Sequence, residues 1–293
     1  MTISTIASDQ LQVSVKHQGA ELCQLRTSDG LDLLWTGDPA FWERQAPVLF
    51  PVVGALKDGR LLHQGRVYPM PKHGFARNRE FRMTRQSAHH CTLVLEDDAD
   101  TRAMYPFQFR LELAFRVEGS ELQVQYTLQN PGDTALPASF GAHPAFRWPL
   151  LPGLAREAHW LEFEKPEGAL LPGVDPNGLL TPANRPSPLL GRQLLLHDGL
   201  FLEDALVFRP VQSRALRYSA PGAPVLQVAW DGFPQLGVWT KPGASFLCIE
   251  PWRGFASPAG FDGEFRDKPG VFQVPPHGTQ SARYTVRILG PEL

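Results

Sequence analysis
The stretch Phe246–Gly254 reads FLCIEPWRG and sets a carboxylate, Glu250, at the end of an apolar run pinned by Pro251 and Trp252. An ionised carboxylate loses several kcal/mol on burial unless it is paired or hydrogen-bonded. Glu250 therefore either faces solvent or serves a cleft that needs a negative charge. Three further stretches set ionisable groups among small, proline or aromatic residues: KHGFAR (Lys72–Arg77), FGAHPAF (Phe140–Phe146) and FLEDAL (Phe201–Leu206). Glycine lets a backbone approach a ligand closely. Aromatic faces suit the apolar C–H face of a sugar ring, while His, Asp, Glu and Arg can bond its hydroxyls.

Taken singly, each group also has a plainer reading. His73 is readily satisfied by a backbone carbonyl. His143 stands in a His-Pro pair common in turns, and Glu203-Asp204 forms a polar corner. Arg44 and Arg77 read as surface charges, whereas the cost of burial tilts Glu250 toward function. The remaining histidines, including His89-His90, lack an i+4 partner or a well-spaced cysteine, so no metal site is expected. Neither a Walker-type loop nor G-x-S-x-G occurs.

The elements that must position these residues read as strands. Phe109, Leu111, Leu113, Phe115 and Val117 alternate, and after Glu118-Gly119-Ser120 the alternation resumes at Leu122, Val124, Tyr126 and Leu128. Period two on both sides of a short polar turn predicts a half-buried hairpin. Further short strands are expected at Leu11–Val15, Leu31–Trp35, Cys91–Leu95, Val225–Trp230, Leu236–Trp239, Phe246–Ile249 and Tyr284–Leu289. The 28 prolines and 26 glycines disfavour long helices, and the helix candidates are short, such as Pro39–Gln45. Segment Leu150–Asn184 reads as a surface excursion. With no repeat and no linker, residues 1–293 are expected to form one domain, a large antiparallel β-sandwich.

Composition narrows the setting. A net charge of −2 with no basic run gives no footprint for nucleic acid or an anionic membrane. No apolar run approaches the roughly 18 residues of a membrane span, and the N-terminus has no secretory pattern. Three widely spaced cysteines suit reduced thiols and a cytoplasmic setting.

The chain resembles the aldose 1-epimerase (galactose mutarotase-like) superfamily, in particular its compact LacX-like bacterial branch. The resemblance runs nearly end to end through GAELCQL (Gly19–Leu25), DLLWTGDPAFWERQAPVLFPVVG (Asp32–Gly54), LKDGR, YPMPKHGFARNREF, FGAHPAF, LFLEDALVF, GVWTKPGASFLCIEPWRG and FDGEFRDKPG. It implies a β-supersandwich fold and interconversion of hexose anomers, without metal or redox cofactor. It also implies Glu250 as general base, His143 as general acid, and His73 and Asp204 as sugar-binding residues, with Trp252 packing nearby. The family's sugar-contacting arginine comes from the segment here written VVGALKDGR, where this chain has Ala55 and close relatives often have Arg. Lys57, Arg44 and Arg77 are the cations expected to take over that contact. The chemistry further requires Glu250 ionised and His143 protonated. Two alternatives accompany this reading. A hexose-6-phosphate epimerase would need a cationic pocket drawn from Arg44, Lys57, Lys72 and Arg77, and a non-catalytic sugar-binding protein could use the same fold. The expected partner is a small sugar, with either a monomer or a homodimer.

Overall fold
The computed structural model describes residues 2–291. Its largest sheet has nine antiparallel strands, in the order Gln193–Leu195, Trp160–Phe163, Ala215–Ser219, Val225–Asp231, Thr279–Leu289, Glu121–Gln129, Arg110–Glu118, His90–Glu96 and Arg82–Gln86. A second sheet runs Phe140–Gly141, Phe246–Arg253, Gln235–Trp239 and Leu206–Phe208, with Ala145–Arg147 also pairing to Phe246–Arg253. The expected hairpin forms as the alternation requires. Leu111, Leu113, Phe115 and Val117 are buried, as are Leu122, Val124, Tyr126 and Leu128. Glu118 pairs with Glu121 across a two-residue turn at Gly119-Ser120.

Aromatic residues join the two sheets face to face. Tyr126 stacks on Phe140 at 5.6 Å and Phe163 meets Phe208 at 5.0 Å. Each of these side chains buries a large apolar surface, and such pairs add about 0.5–1.5 kcal/mol beyond the area term. This sandwich is mostly antiparallel β-structure, as expected. Among the described residues, no helix is long and apolar enough to cross a membrane.

Three local expectations are corrected. Leu31–Trp35 is not a strand but a seam between sheets, because its successive N–H groups change partner. Leu33 donates to Leu25 and Trp35 to Ala145. Pro39–Gln45 is not a helix: beyond one turn at Asp38, the N–H groups of Gln45 and Ala46 are captured by the buried Glu21 carboxylate. Among the described residues the one α-helix, Ala99–Met104, starts instead from a capping box between Asp98 and Thr101. Finally, Leu150–Asn184 is no mere excursion. Trp160–Phe163 turns Leu161 and Phe163 inward as part of the large sheet, and Leu170–Val174 pairs with Leu180–Pro186 in a separate hairpin.

One buried cation lies near the loop that follows Phe246–Arg253. Lys268 is 3% exposed, and its ammonium donates to the carbonyls of Phe255 and Pro269 and lies 5.2 Å from the Phe255 ring. Burial, reinforced by Arg209, pulls its pKa from 10.5 down to about 7. Above that value the unfolded chain binds more protons at this residue than the folded one, so its contribution makes stability rise with pH. Unfolding free energies from denaturant titrations between about pH 7.5 and 8.5 should rise by up to about 1.4 kcal/mol per pH unit, and Lys268→Met should flatten the slope. Parallel profiles for the two proteins would refute this assignment.

Candidate functional site
Strand Phe246–Arg253 is buried along almost its whole length, so both of its faces meet protein. Successive side chains alternate, which puts Cys248, Glu250 and Trp252 on one face and Leu247 and Ile249 on the other. Glu250 pairs with Gly237 on one side, while Trp252 is flanked by Gly141 and Gln235. The indole occupies space that only glycine leaves. A Cβ at Gly237 would fall 2.4 Å from the ring and one at Gly141 2.6 Å from it. Between Gly141 and Ala145 the partner strand is interrupted by Ala142-His143-Pro144. The backbone stays attached through Ala142 N–H to Pro251 and Ile249 N–H to Pro144, and this interruption aims His143 at the carboxylate.

His143 Nε2 lies 3.1 Å from Glu250 Oε2, and the two residues are 8% and 1% exposed. The contact is close but lacks full hydrogen-bond alignment. Among the described residues, Glu250 Oε2, His143 Nδ1 and Trp252 Nε1 are buried polar atoms that meet no partner in full hydrogen-bond geometry. Burial raises the Glu250 pKa well above the usual carboxylate range; Asp204 adds to this and Lys72 opposes it. Burial also drives His143 down to about 3, with its own backbone offsetting part and Arg77 and Lys72 adding to the fall. Desolvation disfavours the charged form of both groups, which weighs against the expected pairing of an ionised Glu250 with a protonated His143.

The second histidine is placed by a strained loop. His73 and Gly74 have left-handed backbones, φ 68° and 72°. At Gly74 a Cβ would lie 2.1 Å from the carbonyl oxygen of Phe50, so no other residue fits there. His73 Nδ1 accepts from Gly54 N–H at 3.1 Å, which leaves the proton of the neutral ring on Nε2. Its ring centroid is 5.6 Å from that of His143. Asp204 is likewise left-handed, at φ 70°, and its carboxylate accepts from Ala205 N–H. Strained non-glycine residues of this kind cluster at functional sites.

These groups surround one cavity of about 240 Å³. It is somewhat below the roughly 300–1,000 Å³ of drug-sized ligand sites and suits a single monosaccharide. Trp42 lies 5.0 Å from the His143 ring and Trp239 5.8 Å from it, together giving apolar walls. The Leu170–Val174/Leu180–Pro186 hairpin covers another side through Val174, Gly178 and Leu180.

The structure brings Glu250, His143, His73, Asp204, Arg77 and Trp252 to this cavity. Two expected cations are not there. Lys57 pairs with Asp262 at 3.0 Å and lines a separate, smaller cavity. Arg44 stands behind Arg77, donating to the Arg77 carbonyl and to Asn78 Oδ1. Glu203 faces Arg185 and is largely exposed, so Asp204 is the acidic residue of the pair that reaches the cavity. The cation beside Ala55 is Lys72: a Cβ at Gly178 would be 3.5 Å from both Ala55 Cβ and Lys72 Nζ. Sequence reasoning also missed the Trp42 and Trp239 walls, whose aromatic character was the one available signal.

His143, Cys248 and Glu250 have donor atoms within 4.8 Å of one another, a spacing that could hold a metal ion. Soft-metal binding needs a thiolate. Burial and the neighbouring Glu250 push the Cys248 thiol pKa well above its usual value, which weighs against a thiolate ligand there.

A family model described as aldose 1-epimerase matches residues 1–268. The plasmid-encoded protein LacX of Lactococcus lactis subsp. lactis is 32% identical, with 99% of this chain and all of that protein aligned. A galactose mutarotase related enzyme from Lactobacillus acidophilus superposes with a TM-score of 0.91 at 25% identity, covering all of both chains. A galactose mutarotase-like protein from Lactobacillus casei gives 0.92 at 24% identity over 98% of this chain and all of that one, a likeness of fold. On sequence and fold together, the chain belongs to the aldose 1-epimerase family, in its LacX-like branch.

Proposed function
We propose that this protein interconverts the α and β anomers of an aldohexose by opening and reclosing the hemiacetal ring. The observation that carries the reading is the pair Glu250 and His143, 3.1 Å apart and buried against a cavity of sugar size. A binding protein would gain nothing from burying a carboxylate and an imidazole together. An enzyme that must take one proton and give another requires such a pair.

The proton count closes over the cycle. With Glu250 ionised and His143 protonated, the carboxylate takes the O1 proton, the C1–O5 bond breaks with its electrons passing to O5, and O5 takes the His143 proton. The site then holds the neutral pair and an open-chain aldehyde. After rotation about C1–C2, O5 adds to the other face of C1, returns its proton to His143, and O1 regains one from Glu250. The neutral pair favoured by burial is thus the state that accompanies the open chain, and bound hydroxyls supply the polar partners that the closed-ring state needs. His73 and Asp204 orient the ring through its hydroxyls, and Trp42, Trp239 and Trp252 exclude water from it.

Two-dimensional exchange NMR between the anomers of glucose and galactose tests this. Glu250→Gln and His143→Asn should each reduce the catalysed rate by about 10²-fold or more, while sugar binding persists; a Glu250→Gln protein with wild-type exchange rates would sink the reading. The pH dependence is distinctive. The pair carries its single proton from the His143 value of about 3 up to the raised Glu250 value. The kcat/KM of the free enzyme should therefore show no acid limb at the ordinary histidine value and should fall on the alkaline side, where Glu250 loses its proton. An acid limb near the ordinary histidine pKa of about 6.5 would contradict the burial argument.

A further inference from the structure
We infer that Lys268 is a modification site, whose amine, in the wall of the smaller cavity beside Ser257, takes carbon dioxide as a carbamate. That cavity measures about 60 Å³ and is separate from the sugar-sized one. A water needs roughly 10–15 Å³ of such space, so the cavity admits a molecule of a few heavy atoms and excludes a hexose. The two cavities share the segment Phe255–Ser257 as a partition: Phe255 and Ala256 line the larger and Ser257 the smaller.

The hydrogen bonds of Lys268 suit a neutral amine. Its Nζ donates to the carbonyls of Phe255 and Pro269, and among the described residues no carboxylate pairs with it. Two acceptors satisfy the two N–H groups of a neutral amine and leave its lone pair free. The third proton of an ammonium would find only the Phe255 ring, 5.2 Å away. Burial and Arg209 act in the same direction and bring the pKa to about 7. A large share of this amine is therefore nucleophilic near neutral pH, against less than about one part in 10³ for an ordinary lysine of pKa about 10.4.

The cavity also suits the product. Three basic side chains, Lys57, Arg60 and Lys268, line it against one carboxylate, Asp262, which Lys57 and Arg60 share at 3.0 and 3.8 Å. Arg60 also pairs outside the cavity with Asp58. Ser257 is 2% exposed, and among the described residues its hydroxyl has no hydrogen-bond partner, so it is free to donate to a new oxygen. In the reaction the amine lone pair forms a C–N bond to the carbon of carbon dioxide, one C=O π pair passes to oxygen, and the nitrogen releases a proton to solvent. The remaining N–H keeps one carbonyl acceptor. The added carboxylate brings the negative charge that this basic lining lacks, with Arg209 nearby.

Carbon-13 NMR of the full chain, with its lysines labelled in nitrogen-15 and equilibrated with carbon-13 dioxide, tests this directly. Wild type should give one carbamate resonance split by nitrogen-15, at an occupancy about tenfold or more above that of any other lysine. At fixed carbon dioxide pressure its intensity should grow between about pH 6.5 and 8, since an ammonium must shed one proton before attack and the new bond releases another. Lys268→Met should abolish the resonance. Ser257→Ala, which keeps the amine, should lower the occupancy severalfold, and this arm decides should Lys268→Met fail to fold. At constant pH and salt, carbon dioxide should also raise the Tm of wild type but not that of Lys268→Met. No resonance in wild type, one that persists in Lys268→Met, or an occupancy unchanged by Ser257→Ala would each overturn the inference.

Discussion
Burying Glu250 is the constraint around which the site is organised. A carboxylate that is 1% exposed among strands of a sandwich cannot remain a bare charge, and it has neither an arginine nor a lysine in ion-pair contact. Its environment answers in two ways: burial raises its pKa, which disfavours the charge, and His143 is brought to 3.1 Å. Each feature of the surrounding sheet follows from that arrangement. The interruption Ala142-His143-Pro144 aims the imidazole without losing the ladder, because the flanking backbone groups still bond to Pro251 and Ile249. Gly237 and Gly141 leave space for the indole that covers the other side.

The rest of the cavity is held by strain and by glycine rather than by further charge pairing. His73 and Asp204 take left-handed backbones that cost of order 1–3 kcal/mol each. The cost is offset locally: His73 exchanges hydrogen bonds with Gly54 through both its backbone N–H and its Nδ1, and Asp204 accepts from Ala205. Two rigid loops therefore deliver polar side chains to a space enclosed by the apolar rings of Trp42, Trp239 and Trp252. Preorganisation of this kind lets a small site orient a ring whose hydroxyls would otherwise be satisfied by water.

The electrostatics of the site are asymmetric. Carboxylates at Glu250 and Asp204 and unpaired cations at Lys72 and Arg77 share one small volume. Lys72 lowers the Glu250 pKa and, with Arg77, opposes a proton on His143, so the same charges favour an ionised Glu250 and a neutral His143.

Much of this was legible in the sequence. Alternation at Leu111–Val117 and Leu122–Leu128 fixed both the hairpin and the face it buries, since period two admits one inward set. The carboxylate in the apolar run of FLCIEPWRG tilted Glu250 toward function by its cost of burial, whereas His73, His143 and Asp204, which singly read as turn or structural residues, were singled out by the family resemblance of KHGFAR, FGAHPAF and FLEDAL. The sequence misled where partners lie far along the chain. Leu31–Trp35 has strand composition but changes partner at each step, Pro39–Gln45 loses its N–H groups to Glu21, and Leu150–Asn184 holds a core strand and the hairpin that covers the cavity. Among the cations, charge alone could not tell Lys57, spent on Asp262, from Lys72, which has no acidic partner among the described residues. The sequence by itself thus determined the strands, the family and the ionisable residues, which depend on local pattern and residue type. Only the tertiary structure decided which charges are paired, which are buried and how protons are held, because those depend on distances between segments that the chain order does not encode.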